Sequence, residues 1–337
     1  MQSVQRYLKS EGDNLYFAAI EDQLYHEGCL MLYNANMKYV VLLYYKYVEI
    51  KDPAKLMDEQ KKLCVRLGLK GRILIATEGI NGTVEGTKSN VQQYIKEVKK
   101  ETRFAGINWK KSEGTGSAFK KLKVKVRPEI VTTGIPNKDF GPLIYAANGE
   151  KVAGKHLSAD ELKKWYEEGR EFYVVDMRND YEFEVGRFKN SVWPKGLGHF
   201  RDVPKAIKSI SNLKDKTVVT VCTGGVRCET ASGLLLKHGF KDVYQLQNGI
   251  VTFMENYPNT FFEGKLLVFD GRETIAFNTD SPEHKIVGKC RVCGTPSENL
   301  VNYFNNGKNT YGIICVDCCN SNKVDLERKP TSDIISP

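Results

Sequence analysis

The sequence predicts an α/β protein of two main units and a small cysteine-rich tail, on three observations. Residues 39–127 run strand, helix, strand, strand, helix, strand. Residues 155–263 alternate short apolar strands with helices. Five of the nine cysteines lie between Cys290 and Cys319. At 337 residues the chain also exceeds what one compact core usually holds.

In the first unit, YVVLLYYKY (39–47) is β-branched and aromatic and predicts a strand. Asp52-Pro53 opens a helix to about Leu67, because proline is tolerated in a first turn, and Gly68 ends it. GRILIATEGINGTVEG (71–86) predicts strand, turn and strand, with the turn at Glu78-Gly79-Ile80-Asn81-Gly82 on the strength of its Asn-Gly pair. Ser89 caps a helix to about Lys100. Ile107 to Lys111 is a short strand, and KLKVKVR (121–127) alternates strictly. This order is the ferredoxin-like split pattern. The alternation sets Leu122, Val124 and Val126 on one face and Lys121, Lys123, Lys125 and Arg127 on the other. A cationic face suits nucleic-acid phosphates. An edge strand whose lysines deter aggregation has the same pattern. Glu78 and Asn81 either face a nucleotide or simply build the turn.

Net charge is +9, and the segment from Lys88 to Arg127, with twelve Lys/Arg and three Glu, holds an excess as large as the whole chain's. Such a segment fits a polyanionic partner or a solvated basic face. Residues 1–38 show no pattern and read as an extension. Their polar start lacks the apolar middle of a signal peptide. The longest apolar run, Tyr39 to Tyr45, is too short to cross a bilayer. A cytoplasmic chain without a membrane partner is expected.

Residues 128–154, with Pro128, Pro136 and Pro142, read as a connector. Ser158 and Glu161 then form a capping box for a helix through Trp165. Tyr173 to Val175, Val218 to Val221 and Asp242 to Leu246 are short strands. The first ends at Asp176, and the second runs into CTGGVR and a helix to about His238. Strands alternating with helices predict a parallel sheet, whose ligands bind beyond the carboxyl ends of its strands.

Cys222-Thr-Gly-Gly-Val-Arg227 therefore lies where ligands bind. Gly224 and Gly225 let the backbone curl so that successive N–H groups converge on one point. A thiol there, beside a helix N-terminus and Arg227, is pushed toward the thiolate. The sulfur is expected to face an open crevice reachable from the cationic unit. A merely buried cysteine ahead of an ordinary glycine turn is the alternative.

Residues 155–263 resemble a rhodanese domain. DMRNDYEFEVGRFKNSV (176–192) is similar to that family's D-x-R-x-x-x-E segment, with Asp176, Arg178, Glu182, Phe183 and Gly186 at matching positions. CTGGVR is similar to its six-residue active loop. Arg187 departs from the family's usual His. Taken in order, YYKY, GRILIATEGINGTV, KVKVRPEIV, DMRNDYEFEVG and CTGGVRCE resemble the rhodanese-containing tRNA uridine(34) hydroxylase family. The resemblance implies oxygen-dependent conversion of the wobble uridine to 5-hydroxyuridine, with dioxygen as co-substrate and the tRNA anticodon loop as partner. It places Cys222 and the loop, with Arg227, Asp176 and Arg178, in the catalytic site and makes the basic sheet a tRNA platform, with Lys121, Lys123, Lys125 and Arg127 expected on phosphates and Glu78 and Asn81 either facing the nucleotide or forming the turn, which their chemistry favours. Two routes are open: addition of sulfur to uridine C6, or a Cys222 persulfide as redox partner. The rhodanese unit alone suggests a thiosulfate or persulfide sulfurtransferase. No flavin or dinucleotide fingerprint is present.

In the tail (264–337), Cys290-x-x-Cys293 and Cys315-x-x-Cys318 have the spacing of a structural zinc site, and Gly294 suits the turn after the first pair. The resembling family's tail is longer and richer in cysteine and histidine.

Overall fold

The computed structural model describes residues 38–135, 138–305 and 308–321; the expected extension, apart from Lys38, and the last sixteen residues lie outside them. The first unit consists of β1 (Tyr39–Tyr47), α1 (Pro53–Arg66), β2 (Lys70–Ala76), β3 (Gly79–Thr87), α2 (Lys88–Val98), β4 (Lys110–Gly114) and β5 (Leu122–Val126). Its sheet runs β4-β1-β3-β2-β5, with β5 parallel to β2 and the other pairs antiparallel. This is the expected ferredoxin-like order with one strand added at an edge.

Period two divides this sheet cleanly. Val40, Leu42, Tyr44, Ile73 and Ile75 join the core under α1 and α2. Val41, Leu43, Tyr45, Arg72 and Leu74 face the other way, into a cavity. A strand's side chains alternate between faces, so each strand serves both.

Local details depart from expectation. The turn falls on Thr77 and Glu78, since Ala76 pairs with Gly79. Asn81 and Gly82 lie inside β3. Gly82 is required there because the Tyr44 ring lies against its Cα, where a Cβ would collide. The second helix is capped by Thr87, not Ser89. Val126 is 38% exposed at the end of β5, past the edge of the core it was expected to join.

The second unit contains β6 (Lys155–Leu157), α3 (Ala159–Glu167), β7 (Tyr173–Asp176), α4 (Asp180–Val185), β8 (Thr217–Val221), α5 (Val226–Lys237), β9 (Asp242–Leu246) and α6 (Gly249–Asn256). Its four strands are parallel in the order β6-β9-β8-β7. Both faces are covered: Val175, Val218 and Val243 enter one core, and Val174, Val219 and Leu246 the other. Two-sided burial explains why these strands read as apolar runs rather than alternating ones. The predicted capping box at Ser158 and Glu161 is present. In the tail, β10 (Leu300–Asn305) and β11 (Lys308–Ile313) form a hairpin ahead of α7 (Val316–Asn320). Among the described residues no helix is long and apolar enough to cross a membrane.

Candidate functional site

The loop after β8 curls around its own cysteine. The Gly225 N–H donates to Cys222 Sγ at 3.2 Å. Gly225 has φ +95° and stands at the N-terminus of α5, a conformation that side chains disfavour. The first turn of α6 ties the loop down, with Ile250 N–H donating to Cys222 O and Val251 N–H to Thr223 O. Burial by itself would raise the Cys222 pKa. The Cys228 thiol, the Arg227 charge and the backbone N–H groups of Cys228 and Arg227 outweigh burial and lower it. Cys228 moves the opposite way, raised by burial and by its hydrogen bond to Cys222. The pair thus favours the proton on Cys228 and negative charge on Cys222.

Cys222 does not face an open crevice. Its solvent exposure is 0%. Leu43 and Tyr45 of β1 lie on the loop, so that a Cβ at Gly224 would sit 2.9 Å from Leu43 Cδ2, and one at Gly225 3.0 Å from Tyr45 Oη. The adjoining residues Thr223, Gly224 and Arg227 do line a cavity, of about 740 Å³, between the units. That volume falls in the range of small-ligand sites.

Arg227 is 8% exposed and is gripped by Glu182, Nη1 to Oε2 at 2.7 Å and Nη2 to Oε1 at 2.8 Å. Burial alone would raise the Glu182 carboxyl; Arg227 outweighs it and holds it below its ordinary value. Thr223 Oγ1 donates to the same carboxylate. The arginine thus reaches the loop with its charge already matched, and its orientation fixed.

Asp176 and Arg178, expected in the catalytic set, are not placed to touch a substrate. Both are 0% exposed and pair with each other, Arg178 Nη2 to Asp176 Oδ2 at 2.6 Å. Arg178 also donates to Gly186 O, and its own carbonyl accepts from Trp193. They brace the turn after β7. A conspicuous Asp-x-Arg at a strand end is compatible with either role, and only packing separates them.

The expected tRNA-contact residues divide. Lys121 and Lys123 line the cavity beside Arg72 and Asn81. Lys125 and Arg127 are exposed and do not line it. Asn81 Nδ2 donates to Ile130 O, and Glu78 accepts from Ile130 N–H and pairs with Lys138 at 3.0 Å. These two hold the connector against the first sheet, with Asn81 also at the cavity wall.

Glu182, a matching position of the rhodanese-like segment, was given no role from the sequence, and Tyr45, Glu229 and Lys110 were not singled out. Glu229 is buried and accepts from Tyr45 Oη at 3.1 Å and Gln245 Nε2 at 3.2 Å, with His156 Nε2 at 3.0 Å. Tyr47 Oη lies 3.0 Å from Thr230 Oγ1. The run YYKY, read as a strand and as part of the family's motif order, also helps join the two units. Its alternating polar tips were a usable signal, but their partners lie more than 180 residues away.

In the tail, the sulfurs of Cys290, Cys293, Cys315 and Cys318 lie within 4.8 Å of one another. Four thiolates around zinc at about 2.3 Å would stand about 3.8 Å apart, so the cluster fits a tetrahedral ion. Gly294, at φ +77°, makes the expected turn. Cys319 points away, toward Asn299 and the Ile314 carbonyl.

Comparison with known proteins divides the chain in the same way. Residues 39–130 match the UPF0176 acylphosphatase like domain, residues 158–256 the rhodanese-like domain and residues 263–327 the rhodanase C-terminal domain. A tRNA uridine(34) hydroxylase of Cytophaga hutchinsonii is 42% identical over 280 residues, 83% of this chain and 86% of its own. Proteins of the same name from Staphylococcus carnosus, at 44% identity, and Aster yellows witches'-broom phytoplasma, at 40%, align over 80% and 82% of this chain and 82% and 86% of theirs.

Proposed function

This chain belongs to the tRNA uridine(34) hydroxylase family, and we propose that its thiol loop is where the wobble uridine of tRNA becomes 5-hydroxyuridine. The observation that carries the proposal is the placement of the curled Cys222 loop against a cavity whose facing wall is the cationic sheet. A thiosulfate sulfurtransferase handles a small anion and has no use for that wall.

The anticodon loop is the part of tRNA that suits this cavity, because its bases are single-stranded and can be turned out. Lys121 and Lys123 take backbone phosphates while uridine 34 enters between the units. The base approaches the sulfur once Leu43 and Tyr45 give way. Two routes then lead to the product with dioxygen as co-substrate: one oxygen atom enters at C5, and a two-electron donor of the thiol class, oxidised to its disulfide, takes the other to water with two protons. In one, the thiolate adds to C6 and the C5–C6 π pair shifts toward C5 and O4, making C5 electron-rich. In the other, a Cys222 persulfide acts as redox partner. The loop N–H groups steady negative charge in both. Cys290, Cys293, Cys315 and Cys318 would hold a zinc ion that fixes the tail, with no open position for chemistry.

The test is nucleoside mass spectrometry of tRNA incubated with wild-type protein and Cys222→Ser under air. Loss of 5-hydroxyuridine in the variant supports the assignment. Full modification by Cys222→Ser overturns it.

A further inference from the structure

Lys110 is the buried cation that this reading leaves without a task. It lies on β4 directly opposite Leu43 of β1 in an antiparallel register. Facing residues on such strands point to the same side of the sheet, so its side chain lies on the cavity face beside the residue that covers Gly224. Its Nζ stands 5.0 Å from the centre of the Tyr45 ring. The residue is 9% exposed, and its Nζ has no hydrogen-bond partner among the described residues.

A buried ammonium without a hydrogen-bond acceptor is costly, because three donors lose water and the Tyr45 ring face returns only part of that. Burial lowers its pKa to about 8, and the charges of Cys222 and Glu229 resist that shift. A group held this way is poised to meet an acceptor that arrives with the substrate. Phosphate is one kind of acceptor, but the cavity has exposed lysines better placed to meet it in water, Lys111 on β4 itself and Lys120 and Lys121 toward the opposite edge beside β5. Four strand spacings, or about 19 Å, separate β4 from β5. The thiol loop packs on β1, next to β4, so what reaches Lys110 is whatever sits beside the sulfur. Uracil offers two carbonyl oxygens there, and any anion formed on the ring places its charge on those atoms.

Resting on the hydroxylase reading, we propose that Lys110 is the base-recognition residue, donating from Nζ to a uracil carbonyl oxygen and holding the charge that develops on it. Its role is with the base and not with the tRNA backbone.

The experiment compares wild type, Lys110→Met and Lys110→Ala with an anticodon stem-loop carrying uridine 34. Lys110→Met is expected to lower the single-turnover rate by ~100-fold or more while changing the stem-loop Kd by less than about threefold. Its melting temperature should be equal to or above wild type, because an unpaired buried charge has been removed. Ethylammonium or propylammonium should restore part of the activity of Lys110→Ala, which a purely structural lysine would not allow. Wild-type rates in Lys110→Met overturn the inference. So does a rate loss matched by loss of stem-loop binding, by a lowered melting temperature, or by failure of every amine to rescue. Wild-type protein that leaves uridine 34 unmodified would overturn the hydroxylase reading itself, and this inference with it.

Discussion

The Tyr45 hydroxyl donates to Glu229 Oε1 at 3.1 Å and so joins the first sheet to the helix that follows the thiol loop. Tyr45 therefore does two things: it bonds the units together, and it lies against the thiol loop at Gly225. Tyr45→Phe removes only the bond and should cost about 1 kcal/mol of stability, measured by denaturant melts. Tyr45→Ala removes the contact with the loop as well. Iodoacetamide labelling of Cys222, followed by peptide mass spectrometry, should then accelerate by roughly tenfold or more. Equal labelling rates in the two variants would show that the ring does not guard the thiol.

Cys222 should titrate below the ordinary thiol range, at about 6. The difference in 240 nm absorbance between wild type and Cys222→Ser, followed against pH, reads this directly. Burial opposes ionisation, and the Cys228 thiol is the first group to counter it. Cys228→Ala should therefore move the midpoint upward. An unchanged midpoint would assign the effect to Arg227 and the backbone alone.

Glu182→Gln leaves Arg227 buried with its charge unmatched and should destabilise the protein by about 3–5 kcal/mol in equilibrium unfolding. The sign with pH follows from the lowered Glu182 pKa. The pair's contribution is full above the unfolded carboxyl's pKa of about 4.3 and is lost as pH falls through the folded value. The stability gap between wild type and Glu182→Gln should thus close in acid.

Lys121→Ala and Lys123→Ala should weaken tRNA binding and lower the slope of log K against log salt by about 0.7 for each phosphate contact removed. Lys125→Ala and Arg127→Ala, exposed and away from the cavity wall, should do less. Filter binding across a salt series distinguishes them. Equal effects from all four would favour a diffuse basic face.

Purified protein should carry about one zinc per chain by elemental analysis. Cys290→Ser should lose it, and Cys319→Ser, whose sulfur points out of the cluster, should keep it. Zinc-free wild-type protein would refute the assignment.

Much of the architecture was legible because the relevant signals are local. Asp52-Pro53, the Ser158 and Glu161 box and the glycines of CTGGVR each act through bonds within a few residues. The Asn81-Gly82 turn failed for the opposite reason. A strong local preference was overridden by Tyr44, whose ring needs the space that Gly82 leaves in β3. Asp176 and Arg178 turn inward because a carboxylate and a guanidinium two residues apart can pair with each other, and both are fully buried.

The sequence by itself determined the two units, the thiol loop with its amide cradle, the four-cysteine cluster and the family, since periodicity, spacing and motif order are all read along the chain. Only the tertiary structure decided that the sulfur lies covered, that Glu182 and not a ligand holds Arg227, and that Lys110 faces the thiol loop from another domain. Those relationships join residues 45 to more than 180 positions apart, where burial and charge matching depend on which surfaces fold together.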